Sequence, residues 1–405
     1  MNGKALVPIV LVVLVILTLA PGPILVAESK KQDAPGDFDQ RFAEGVRLHD
    51  AGQYDAAIAV YRDLLKDYPK NPRVLYELAF SSLSGGKPKD AVDYAARCLK
   101  QHSKYDSECH QIMGNAYDDL GEHTKGEKAF RDGLQEVPRA RLLHFNLGVN
   151  LMNQKKTADG IAEFQAGLQD EPEHPGSWRA LGVALQMAGQ RARAFVAFAR
   201  FLTLEPDSQR SPAAASGLWN LLFEGVKRTP KEEGGKPGDV SITMPPPKEG
   251  DDPATAERLV ISMVAASRYL EEWKDKSDAE FFAHAFEEVL AILTELDDSA
   301  KTRDPFWSVV SLPYYRNARE AGHLEAMAYS VRRSLKDPDT LRWLADHAEA
   351  VDHYRAWSEA WKPAQAPTNS ASTSAASFAS DVGQALFART TRSTSQSRTC
   401  SSESS

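Results

Sequence analysis

The sequence predicts an all-α chain: a superhelical solenoid of helical hairpins over residues 38–208, then a second helical domain, then a disordered tail. Three observations predict it. Leucine recurs at Leu65, Leu99, Leu134, Leu168 and Leu202, at intervals of 34, 35, 34 and 34 residues. Small residues recur in register with that period. Beyond residue 254, apolar residues fall at helical rather than alternating spacing.

Such a long period is the mark of a repeat architecture, because one short unit cannot bury its own apolar face and must stack on its neighbours. Setting the unit to begin at Phe38, Pro72, Ser107, Arg141 and Pro175 gives segments 38–71, 72–105, 107–140, 141–174 and 175–208. The eighth place is then Gly45, Ala79, Gly114, Gly148 and Gly182, and the twentieth is Ala57, Ala91, Gly126, Gly160 and Ala194. Two helices approach closely only where side chains are small, so paired small places about twelve apart predict an antiparallel hairpin. The twenty-fourth place carries Tyr61, Ala95, Phe130, Phe164 and Phe198, which are expected to fill the space between one hairpin and the next. Gly52, Gly86, Gly121 and Gly189 mark the turns, with Lys155 the exception. Pro69, Pro138, Pro172 and Pro206 close four units, and Ser103 stands in the second.

These positions resemble the tetratricopeptide repeat (TPR) family over about 170 residues, most clearly in the fifth unit with Trp178, Leu181, Gly182, Leu185, Gly189, Ala194, Phe198 and Pro206. The first unit has Arg41 and Glu44 where apolar residues usually face inward, and reads as an end cap. Glycine at 126, 133, 160 and 167 replaces the usual alanine at about 1 kcal/mol each in helix propensity, which predicts soft third and fourth units.

After the repeats, residues 211–227 read as a capping helix with Leu218, Trp219, Leu221, Leu222 and Phe223. Residues 229–253, with three consecutive prolines at 245–247, read as a linker. Helices are expected at 254–274, 278–296, 305–321, 323–335 and 337–361, the last with a break. Five of the seven tryptophans lie in 254–362, which predicts an aromatic core separate from the repeats. Residues 363–405 hold 18 Ser or Thr among 43 and read as disordered, with one short amphipathic turn at 380–387.

The first 27 residues are distinct. Lys4 precedes an apolar run from Ala5 to Ala20, followed by Pro21-Gly22-Pro23 and Ile24–Ala27. A secretory signal peptide cut after Ala27 and an uncleaved transmembrane anchor both fit, and both engage the membrane or the export machinery. Each predicts an exported protein, periplasmic or extracellular.

A net charge of −8 argues against nucleic acid as a partner. Three cysteines are too few for a disulfide framework. Cys98 and Cys109 fall at inward-facing repeat places, where buried thiols, a disulfide or a zinc site with His102 and His110 are the alternatives. No phosphate loop, metalloprotease helix or nucleophile elbow is present, so no cofactor, metal or catalytic residue is expected. His347 and His353 lie six apart, on different helix faces. Glu287, Glu288, Asp297 and Asp298 read as solvated helix faces.

The TPR resemblance implies that the first helix of each hairpin lines a concave groove through its places 2, 5, 9 and 12. It nominates Phe42, Val46, Tyr76, Phe80, Gln111, Asn115, Phe145, Arg179 and Val183, with Asn146 adjacent. The expected partner is a protein segment with an apolar anchor and a polar or acidic end. The carboxylate clamp of some TPR adaptors is incomplete, because Gln111 takes the lysine place while Gly176 and Ala180 stand where two cations should be. The chain is thus expected to be a non-enzymatic scaffold of the cell envelope. Self-association, and an enzyme or regulator seated in 254–362 with the repeats as its recognition arm, are the alternatives.

Overall fold

The computed structural model describes residues 37–228, 240–243, 253–299 and 304–362. The expected export segment, most of the 229–253 linker, Cys400 and the Ser/Thr-rich tail with its 380–387 turn lie outside the described residues. Ten helices form five consecutive antiparallel hairpins. They are α1 (Asp37–Asp50) with α2 (Tyr54–Asp67), α3 (Pro72–Ser84) with α4 (Pro88–Leu99), α5 (Asp106–Asp119) with α6 (His123–Glu136), α7 (Arg141–Asn153) with α8 (Thr157–Asp170), and α9 (Pro175–Met187) with α10 (Arg191–Leu204). Consecutive first helices touch one another, from α1 and α3 through α7 and α9.

The eighth-place glycines have a specific use. A Cβ on Gly148 would lie 2.5 Å from Cε1 of Phe164, and one on Gly45 would lie 2.5 Å from Cε1 of Tyr61. The large ring therefore seats on the glycine of its own hairpin, which corrects the expectation that it fills the gap to the next. In the second hairpin both places are small instead, with Ala79 and Ala95 fully buried. Gly148→Ala is expected to cost about 1–2 kcal/mol net, because overpacking exceeds the helix propensity gained. Gly217→Ala, where an added Cβ meets nothing within 4 Å, is expected to stabilise by up to about 1 kcal/mol. Urea denaturation of both variants checks the contrast, and equal midpoints would refute it.

The glycines at 126 and 133 have the same steric origin. A Cβ on Gly126 would meet Asn150 Nδ2 at 2.9 Å and Asp118 Oδ1 at 3.0 Å, and one on Gly133 would meet His110 Cβ and Leu143 Cδ1 at 2.8 Å. These glycines admit larger side chains from the neighbouring helices. Their helix propensity cost is set against close packing.

The turns reach the left-handed region at Gly52, Gly86, Gly121 and Gly189, and Lys155 adopts φ +62° in the same role without the freedom glycine has. Arg41 bridges α1 to α2 through Asp63 (2.7 Å) and Asp67 (2.9 Å), so the first hairpin holds its charge in ion pairs. Cys98 and Cys109 form a disulfide joining α4 to α5, the second of the three alternatives.

Helix α11 (Ser211–Phe223) covers α10, and a two-stranded antiparallel pair follows, β1 (Val226–Arg228) with β2 (Val240–Ile242). That pairing places ordered backbone inside what reads from sequence as a linker. The rest is α12 (Pro253–Ala266), two 3₁₀ turns at 267–269 and 271–273, α13 (Asp278–Ser299), a π-helical turn at Phe306–Ser311, α14 (Leu312–Glu320), α15 (Leu324–Arg332), α16 (Pro338–Asp346) and α17 (Ala348–Ala360). The helix expected at 254–274 stops at Ala266 because Leu270 is extended, with ψ 156°. The turn between α14 and α15 repeats the hairpin pattern, with Gly322 at φ +73° and His323 N donating to Ala318 O.

The aromatic core expected to be separate is not. One buried cluster runs from Ile161 and Phe164 through Trp178, Phe195 and Phe201 to Phe282, Tyr315, Met327 and Trp361. Tyr315 Oη donates to Val196 O (2.9 Å), and Phe195 meets Phe286 at 5.8 Å between ring centroids. Two of the carboxylates read as solvated are also corrected. Burial pushes the Glu287 carboxyl up, with Glu325 and Glu288 adding to the shift, and Asp297 Oδ1 accepts from Ser308 Oγ at 2.7 Å.

Candidate functional site: the first-helix face of the hairpins

The side chains at places 2, 5, 9 and 12 of α3, α5, α7 and α9 form a continuous strip, since the first helices lie side by side. Phe80 and Val183 are exposed, at 38% each, while Val46, Tyr76, Gln111, Asn115, Phe145, Asn146 and Arg179 are partly exposed. Phe42 is a correction. It is 3% exposed, packed between Phe38 and Tyr61, with the Arg73 guanidinium 3.7 Å above its ring, so it belongs to the core.

At the first two hairpins the strip is a run of stacked rings. His49 lies on Phe80 (4.5 Å between centroids), Tyr76 is parallel to Phe80 (6.2 Å), and Tyr76 stacks on Tyr105 (5.2 Å). The His49 ring is held by a 2.8 Å hydrogen bond between Nδ1 and the hydroxyl of buried Ser81. Further along, Phe145 meets His174 edge-on at 5.7 Å.

The sequence reading omitted three exposed side chains on this face: Leu142 (43%), Val149 (37%) and Met187 (65%). The place rule itself selects Leu142 at place 2 and Val149 at place 9 of the fourth unit. Met187 lies one place beyond the rule, at the end of α9.

A polar network runs behind the strip at the third and fourth hairpins. Buried Asn150 donates from Nδ2 to Asp118 and to His123 O (2.9 Å), and Gln154 Nε2 donates to Asn150 Oδ1 (2.7 Å). His144 Nδ1 lies 2.8 Å from Glu163 Oε2 and its Nε2 lies 3.0 Å from Pro138 O. Burial opposes the charged imidazole, but these two hydrogen bonds and the Glu163 charge outweigh it and raise its pKa. A raised folded-state pKa means a contribution to stability present below about pH 6.5 and lost as pH rises through the folded value. Wild type is therefore expected to lose more stability than His144→Gln between pH 6 and pH 8, by urea titration at both. Equal losses would remove the assignment.

The C-terminal helices pack mainly on second helices of the array. The π-helical turn packs on α8, α12 and α15 pack on α10, and Arg193 of α10 reaches Glu257 and Asp304 (3.2 Å each). Among the described residues, the ring partners of Tyr76, Phe80 and Phe145 all come from the hairpins themselves. No group of three or more metal-ligating side chains occurs among the described residues, and no described helix is long and apolar enough to cross a membrane.

Two family profiles, each described as a tetratricopeptide repeat, match residues 48–116 and 113–168. A curated relative, the human Protein O-mannosyl-transferase TMTC1, is 22% identical over 169 residues, which are 41% of this chain and 19% of that protein. The chain thus spans about a fifth of that relative's length. Among solved structures, TTC0263, a thermophilic TPR protein of Thermus thermophilus, is 22% identical over 45% of this chain and 98% of its own, with a TM-score of 0.39. MamA (41-end) from Desulfovibrio magneticus RS-1 is 17% identical, covering 43% of this chain and 98% of its own, with a TM-score of 0.38. YrrB, described as a TPR protein with an unusual peptide-binding site, is 16% identical, covering 41% and 86%, with a TM-score of 0.34.

Proposed function

We propose that this chain, in which residues 48–168 are tetratricopeptide repeats, is an exported, non-enzymatic scaffold. All five hairpins are read as one TPR array that binds a partner segment along its first-helix face. TPR arrays are protein-interaction folds, and a bound segment is the economical use of an open helical groove. One observation carries the reading. Of six exposed large apolar side chains in the hairpins, five (Phe80, Leu142, Val149, Val183 and Met187) lie on first helices, and the sixth, Val137, lies in a loop. A solvated surface would scatter them, whereas an apolar strip rimmed by polar groups is the mark of a docking face.

Export is supported by the apolar run at residues 5–27 and by the Cys98–Cys109 disulfide, since such bonds persist in oxidising compartments. The role in an envelope assembly rests on the export reading and the array together.

The test combines Phe80→Ser with Val183→Ser, two exposed positions that leave the core intact. Partners recovered from envelope extracts with the wild type are expected to be lost with the double variant, while its helical circular dichroism is unchanged. Identical partner sets would overturn the groove. Sequencing the mature N-terminus checks export: a start at Glu28 or a membrane-retained Met1 fits, and an intact soluble chain in the cytosol does not.

A further inference from the structure

Two charged groups on the first-helix face, Glu77 on α3 and Arg179 on α9, form no ion pair among the described residues. Glu77, half-buried on α3 beside the groove place of Tyr76, makes no hydrogen bond or ion pair among the described residues. Arg73 stands one turn away, but its guanidinium lies over the Phe42 ring instead. Burial raises the Glu77 carboxyl, against the pull of Arg73 and with the help of Asp50. Tyr61 Oη, buried and without a hydrogen-bond partner, feels Glu77 before any other charge. This end of the face therefore holds a carboxylate without an ion pair, and the buried Tyr61 hydroxyl behind it supplies none.

The other end is the mirror image in charge. Arg179 on α9 keeps its Nε buried without a partner, and so does Nη1 of Arg141. Glu205, whose carboxylate also feels the Arg179 charge, is held by both Nε (3.0 Å) and Nη2 of Arg210. A guanidinium with unused donors matches an incoming carboxylate.

Between the two ends lie Tyr76, Phe80, Asn115, Phe145, Asn146 and Val149, rings and aliphatic groups interspersed with amides able to serve a peptide backbone. We propose that the groove reads the direction of its ligand: its amides hold the peptide backbone in one N-to-C sense, and it takes an apolar segment with a basic residue toward Glu77 and an acidic residue toward Arg179. The proposal rests on the groove reading above and adds its charge chemistry. A reversed segment would bring cation to Arg179 and carboxylate to Glu77, and like charges in half-desolvated sites act against the wrong orientation. Three first-helix steps lead from α3 to α9, so the charged ends of the ligand are about 30 Å apart at a helix spacing near 10 Å. About nine extended residues span that distance.

The experiment uses two blocked nine-residue peptides of identical composition. One carries lysine first and aspartate last around a Leu/Phe/Ser centre, and the other has these ends exchanged. Fluorescence anisotropy with the full chain is expected to show one order binding about tenfold tighter than the other. The charge swap Glu77→Lys with Arg179→Glu is expected to invert the preference. Glu77→Gln with Arg179→Gln, whose fold is checked by circular dichroism, is expected to abolish the preference while both peptides still bind. Equal binding of the two orders to wild type, or a preference that survives these substitutions, overturns the proposal and leaves the groove standing. Binding of neither peptide overturns the groove reading and this one with it.

Discussion

Replacing Arg191 by alanine is expected to lower the stability of the chain by about 3–5 kcal/mol, the range for breaking a buried, hydrogen-bonded charge. Arg191 is 7% exposed at the start of α10. Its Nε donates to Leu221 O, its Nη2 to Leu222 O (2.7 Å) and its Nη1 to Ser262 Oγ (2.9 Å). One guanidinium thus satisfies carbonyls near the end of α11 and ties both helices to α12. Burial brings its pKa down to about 10, so the group stays charged at neutral pH. Alanine would leave two buried carbonyls without donors, each costing about 1–3 kcal/mol, in addition to the lost side-chain packing. Arg191→Lys is expected to recover only part, because an ammonium cannot span three acceptors in a plane. Urea denaturation of wild type and both variants measures this, and a loss under about 1 kcal/mol for alanine would refute the bridging role.

Trp178→Ala is the second large effect, at about 3–5 kcal/mol for emptying a buried indole site. The ring is 1% exposed and meets Phe306 at 5.7 Å between centroids, while Nε1 donates to Pro172 O at 2.7 Å. It therefore joins the turn before the fifth hairpin to the π-helical turn some 130 residues later in the chain. Trp178→Phe keeps most of the volume and loses the N–H, so its cost should be near that of one hydrogen bond, about 1 kcal/mol. Thermal unfolding should rank wild type, Phe and Ala in that order. An equal loss for both variants would assign the effect to the hydrogen bond rather than the volume.

Both substitutions act where sequence reading expected a boundary. Arg191 occupies a position at the head of a second helix where charge normally meets solvent, and only the packing of α11 and α12 makes it interior. Arg200 behaves alike: it is 4% exposed because its guanidinium lies 3.8 Å over Tyr314 and near Trp361. Neither burial has a local signal, since a 3.6-residue period reports which faces of one helix are apolar, and α10 is covered on nearly all of them. The same limit misplaced Phe42, whose register assigns it to the groove but which Phe38 and Arg73 roof over at the end of the array.

The exposed first-helix positions were legible in outline. Phe80, Val183, Tyr76 and Arg179 follow from the place rule, and Leu142 and Val149 follow from applying it to every unit. What the rule could not supply was pairing. That Arg210, rather than Arg179, hydrogen-bonds Glu205 depends on how the chain turns after α10.

By itself the sequence determined the repeat: its period, the hairpin turns and the small places where two helices meet, all of them short-range consequences of side-chain size and backbone freedom. The tertiary structure alone decided that each large ring seats on the glycine of its own hairpin. It also decided that the C-terminal helices share one core with the last hairpins, packing mainly on their second helices. The first joins residues only 16 positions apart and the second residues about 90 to 130 apart, and apolar burial, which drives both, is nondirectional and carries no address in the sequence.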